Sequence, residues 1–163
     1  WAVLEVALKQ ACEQFVESRI TEGERLKEDL FDKLDGMIKD VDAIEDRYPQ
    51  IMTEYREKLT LKVEELLGDA QMEEGRIAAE VILFADKICT DEETVRLRSH
   101  IESMREELLG GGSVGRKLDF LAQEMNREAN TILSKANDLE TSNRAINLKT
   151  EIEKVREQIQ NIE

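Results

Sequence analysis

The chain has 163 residues, with 37 Asp and Glu against 23 Lys and Arg, a net charge of −14, one proline and few aromatics. That acidity excludes a protein gripping nucleic acid over its whole surface. The abundance of Leu, Ile, Glu and Lys points to long helices rather than sheets. The charge is uneven: residues 1–75 carry 10 Lys/Arg against 20 Asp/Glu, whereas residues 96–135 carry 7 against 6, which leaves room for a local anion site in the second half. Cys12 and Cys89 sit in amphipathic patterns without CxxC or Cys/His spacing, as reduced thiols of a cytosolic protein do. No apolar run reaches the roughly 20 residues of a membrane span, and no signal peptide is visible. Because the chain starts on Trp1 and enters a helical pattern at once, it reads as the C-terminal part of something longer.

From Val3 to about Arg47 the apolar positions recur at helical spacing: Leu4, Leu8, Ala11 and Phe15, then Leu26, Leu30, Leu34, Met37, Val41 and Ile44. The register slips near Gly23, where a bend or a change of buried face is expected. Such a helix would be about 65 Å long, more than one compact core covers, so it needs a partner along its length. Tyr48-Pro49 predicts a stop, with a returning helix through Ile51, Tyr55, Leu59, Val63 and Leu66 making an antiparallel hairpin. Gly68-Asp69 predicts a break, after which Ile77, Val81, Phe84 and Ile88 form a stripe that continues that second helix past a kink. Thr90-Asp91-Glu92-Glu93 reads as a capping box, with Thr90 as N-cap and Glu93 reaching back to its amide. The helix it opens buries Leu97, Ile101, Met104 and Leu108 and carries Arg96 and His100, the single histidine, on a flank. A lone flank histidine is ordinarily a surface or packing residue.

The run from Gly110 to Gly115 has the glycine spacing of a P-loop. Arg116 and Lys117 follow it where a P-loop has Lys then Ser or Thr, and the preceding pattern is helical, so it predicts a turn. From about Arg116 to Lys135 the stripe Leu118, Ala122, Met125, Ala129 and Ile132 suits close packing against a neighbouring helix. Glu124 and Glu128 lie one turn apart on another face, where like charges repel by a few tenths of a kcal/mol. With Arg127, Asn126 and Asn130 nearby, two such carboxylates suit a hard cation or an acid/base pair; the plain alternative is a solvated charged face. Asn137-Asp138 interrupts the pattern, and a last helix buries Leu148, Ile152, Val155 and Ile159. The expected fold is all-α: a long helical hairpin or coiled-coil-like arm over residues 1–89 and a helical bundle over 90–163 that carries the chemistry.

VGRKLDFLAQEMNREANTILSK and the closing LKTEIEKVREQIQNIE closely resemble the C-terminal region of the bacterial YicC/YloC family. DEETVRLRSHI resembles the family's acidic-then-RL-x-SH helix, and Arg19-x-x-Glu22-Gly23 its R-x-x-E-G element; the likeness is specific over 90–163 and looser over 24–75. The resemblance implies a cytoplasmic, metal-dependent endoribonuclease acting as a homo-oligomer, with a hexamer expected, and neither DNA nor a membrane as partner. Under that reading Glu124 and Glu128 hold Mg²⁺ or Mn²⁺, and His100 serves as general acid or base. Asp119 is a further catalytic candidate. Arg116, Lys117, Arg127, Asn126, Asn130 and Lys135 are candidates for holding RNA. The alternative is a non-catalytic helical scaffold or oligomerisation module that binds RNA or a protein partner.

Overall fold

A computed structural model describes residues 1–67, 74–112, 114–160 and 162 of the protein. Five helices make up the described residues: α1 (Ala2–Leu67), α2 (Glu74–Ile88), α3 (Asp91–Gly110), α4 (Gly115–Lys135) and α5 (Leu139–Ile159). The all-α class is as expected, and none of the described helices is long and apolar enough to cross a membrane.

Pro49 does not end the first helix. α1 runs 66 residues straight through it, about 100 Å. A proline inside a helix removes one backbone hydrogen bond and crowds the preceding turn. Here Pro49 and Glu45, whose carbonyl it deprives, are both exposed, and the Gln50 side chain adds a hydrogen bond to the neighbouring Asp46 carbonyl at 3.3 Å. The hairpin forms one element later. α2 packs antiparallel on the second half of α1 instead of continuing it, with the Tyr48 hydroxyl donating to the Ala85 carbonyl at 3.3 Å and Tyr55 stacked on Phe84 with ring centroids 3.7 Å apart. The break expected at Gly68-Asp69 lies outside the described residues.

The core explains why α1 need not be paired with a single helix throughout. Leu30, Leu34, Met37, Val41 and Ile44 join Leu97, Ile101 and Met104 of α3, Leu118, Ala122, Met125, Ala129 and Ile132 of α4, and Ala145, Leu148, Ile152 and Val155 of α5 in one cluster. α4 packs on α3 and α5, and α1 packs on the same two helices, so α1 and α4 take opposite corners of a four-helix bundle. Residues 2–25 of α1 project from it, leaving Leu4, Leu8, Phe15 and Ile20 exposed.

Acidic residues of α1 are matched by bases on the helices beside it. Asp42 and Glu45 accept from Arg98, and Asp35 from Arg105, on α3. Asp40, buried, accepts from Arg144 at 3.0 Å and from Asn147, both on α5. Part of the charge asymmetry along the chain is therefore complementarity within the bundle.

Two helix ends differ in how they are capped. Thr90 makes no side-chain cap to α3, and Glu93 does not turn back to its amide; it reaches across to Lys135 on α4, which competes for the carboxylate with full charge. Asp138, by contrast, caps α5, accepting from the Thr141 amide at 3.3 Å and from Arg47 Nε at 3.1 Å. Burial pushes the Asp138 carboxyl up, but these hydrogen bonds outweigh it and hold the group below the usual carboxylate range. A lowered folded pKa contributes stability above the ordinary carboxylate pKa, and that contribution is lost as pH falls through the folded value. Asp138→Ala should therefore cost about 1–2 kcal/mol near neutral pH and progressively less below about pH 4, read from urea unfolding at the two ends of that range.

Candidate active site

Polar side chains line one edge of the antiparallel seam between α3 and α4, above the stripe that both helices send to the core. At one end Glu93 of α3 takes both carboxylate oxygens to Lys135 Nζ at 2.8 Å. At the other, Glu107 of α3 pairs with Lys117 of α4 at 2.5 Å. These pairs are ordinary charge compensation across a helix interface. The middle of the seam is built differently. There His100 faces Glu124 and Glu128, and one donor atom from each of the three lies within 4.8 Å of the others.

Local helix geometry makes this convergence. Glu124 and Glu128 are one turn apart on α4, on the flank turned to α3, and His100 sits on α3 at the level between them. Glu128 is buried, with only 6% of its side chain exposed, while His100 and Glu124 are partly open. A buried carboxylate next to a second carboxylate is costly unless cations compensate it. Two guanidinium groups do so from outside the cluster: Arg96 Nη1 lies 3.9 Å from Glu128, and Arg127 Nη1 lies 3.9 Å from Glu124. At 3.9 Å neither is a close hydrogen-bonded pair, so the carboxylate oxygens keep lone pairs for another partner.

The sequence-derived candidates divide into groups around this centre. His100, Glu124 and Glu128 come together, and Arg127 flanks them. Arg116 and Asn130 are exposed on α4. Lys117 and Lys135 are engaged in the end pairs of the seam. Asp119 lies outside the cluster: it accepts from Arg156 Nε of α5 at 3.0 Å and from Gln123 at 2.7 Å. Asn126 also turns to α5, lining a groove with Lys149, Thr150 and Glu153. Arg96 was not among the sequence candidates for the site. Its position one turn before His100 on the same helix was the available signal.

Three donors with this chemistry, two carboxylates and an imidazole on rigid helices, define a potential divalent-metal centre in an all-α bundle. Residues 44–163 match the family described as "Endoribonuclease YicC-like, C-terminal", and the chain belongs to it. It is 43% identical over 164 residues to the "Probable endoribonuclease YicC" of Clostridioides difficile (strain 630), covering 100% of the chain and 56% of that relative. It is also 38% identical over 149 residues to the "Probable endoribonuclease YicC" of Haemophilus influenzae, covering 91% of the chain and 51% of the relative. The chain thus spans about half the length of the curated relatives it matches.

Proposed function

We propose that the full-length protein is a metal-dependent endoribonuclease whose active surface is the middle of the α3–α4 seam. The observation that carries this reading is the group His100, Glu124 and Glu128, in a seam whose flanking acids already have lysine partners. Membership of an endoribonuclease family supports the reaction class. The donor set fits the ion: Glu124 and Glu128 offer the oxygen ligands that Mg²⁺ and Mn²⁺ take, and the imidazole of His100 favours Mn²⁺ of the two. His100 is accordingly read as the third donor in preference to a free general acid or base.

A divalent ion held there supplies Lewis-acid polarisation of a phosphoryl oxygen and an activated water or hydroxyl. The chain's own residues do the rest. Burial fixes the Glu128 carboxylate on its helix, so its orientation is set before substrate arrives. Arg127, Arg116 and Asn130, on the exposed side of α4, hold phosphate and sugar oxygens of the RNA. The exposed apolar residues of the projecting part of α1 suit the homo-oligomer. Two free cysteines suit a reducing, cytoplasmic setting.

Removal of metal is the direct test. Full-length protein stripped with EDTA should lose internal cleavage of RNA, and added Mn²⁺ should restore it. Cleavage that persists unchanged in EDTA overturns the metal reading, whereas metal-independent RNA binding with no turnover would favour a scaffold.

A further inference from the structure

We propose that Arg96 is a phosphate-binding residue released by metal, so that metal and RNA bind this site cooperatively; the inference rests on the metal reading above. Arg96 and His100 are one turn apart on α3, and both face Glu128, the buried carboxylate of the group. Arg96 Nη2 is also hydrogen-bonded to Glu92 one turn earlier, which holds the guanidinium over the seam. Its side chain is 54% exposed while that of Glu128 is 6% exposed, so the guanidinium stands on the solvent side of the buried acid. A phosphodiester approaching the cluster from solvent meets this group.

Without metal, Arg127 is the guanidinium beside Glu124 and Arg96 the one beside Glu128, each at 3.9 Å, and Arg96 is shared with Glu92. A divalent cation on Glu124 and Glu128 takes over their compensation, which withdraws Glu128 as a competitor for Arg96 and leaves Arg96 with Glu92 alone, its Nη1 turned to the approaching anion. Arg96 is the better placed of the two arginines, because Glu92 orients it, and guanidinium geometry favours two parallel hydrogen bonds to phosphate. By linkage, metal then raises affinity for RNA by the same factor as RNA raises affinity for metal. Arg96 also opposes metal uptake in the absence of RNA, since it competes for Glu128.

The test uses full-length protein, Mn²⁺, and a 2′-O-methyl phosphorothioate oligonucleotide that resists cleavage. Binding is read by fluorescence anisotropy across a salt series, and Mn²⁺ affinity without RNA by electron paramagnetic resonance. In the wild type, Mn²⁺ should tighten oligonucleotide binding about tenfold, within the usual range of coupling. In Arg96→Gln the tightening should shrink to about twofold, and the salt slope with Mn²⁺ should fall by about one phosphate contact. Mn²⁺ affinity of Arg96→Gln without RNA should equal or exceed that of the wild type, and Arg96→Lys should keep part of the tightening. Wild-type tightening and slope in Arg96→Gln overturn the proposal, as does loss of Mn²⁺ binding in that variant, which would make Arg96 a structural support. A wild type that binds Mn²⁺ without tightening on the oligonucleotide overturns this inference alone. A wild type that binds no Mn²⁺ overturns the metal reading and this inference with it.

Discussion

Glu128→Gln in the full-length protein should abolish metal-dependent RNA cleavage while leaving the fold intact, and Glu124→Gln should do nearly the same. Loss of an outer-shell partner of a metal costs about 10–100-fold, so removal of a direct carboxylate donor should exceed that range in both Mn²⁺ affinity and turnover. Glutamine preserves the volume of the buried side chain, so no cavity opens beside the core. The cation that balances Glu128 does not become a buried orphan, because the Arg96 side chain is more than half exposed and keeps Glu92. The expected pattern is a thermal transition near that of the wild type, Mn²⁺ affinity lost, and cleavage lost in step. Glu102→Gln, exposed on α3, should change none of these. If Glu128→Gln and Glu124→Gln both cleave RNA with wild-type Mn²⁺ dependence, the active surface lies elsewhere.

The grouping of Glu124 with Glu128 was more legible in the sequence than the path of the chain that leads to it. Glu124 and Glu128 stand out because a repulsive pair on one helical face has a cost, and helical spacing alone places them together. Their union with His100 depends on how α3 and α4 are offset along their seam, which no single-helix pattern contains. The same offset engages Lys117 and Lys135 in pairs with Glu107 and Glu93, although their residue type suggested free cations. The charge of a sequence window differs from the charge free on the surface for a related reason. Arg98 and Arg105 contribute to the nearly neutral balance of residues 96–135, but their guanidinium groups are held by carboxylates of α1. Pro49 shows the limit of a local rule. Proline disfavours a helix locally, yet a stripe that continues from Ile44 to Ile51 and packs on both sides of the proline outweighs that cost. Once α1 continues, the reversal can only come later, and the Ile77 to Ile88 stripe becomes the returning arm instead of an extension.

Leu34→Ala should destabilise the whole bundle by about 2–5 kcal/mol, the range for truncating a fully buried leucine, whereas Leu8→Ala should change the stability of the chain by no more than about 0.5 kcal/mol. Both residues belong to the same helix and the same apolar periodicity, so the contrast isolates burial. Leu34 is 0% exposed and sits with side chains of α3, α4 and α5 in one cluster, while Leu8 is 64% exposed. If residues 30–44 were part of an arm independent of the bundle, Leu34→Ala would loosen α1 and leave α4 protected. Because they form the fourth corner, the variant should lower hydrogen-exchange protection of the Met125 and Ala129 amides by the same free energy as the global change, in one cooperative transition. Protection of α4 that is unaffected by Leu34→Ala would show that α1 is an appendage. The response to Leu8→Ala adds a further distinction: in the full-length protein, an effect that grows with protein concentration would mean the projecting stripe is buried between subunits, since association stabilises only the form that binds. The helix would then join an assembly surface at one end to the packing behind the α3–α4 seam at the other.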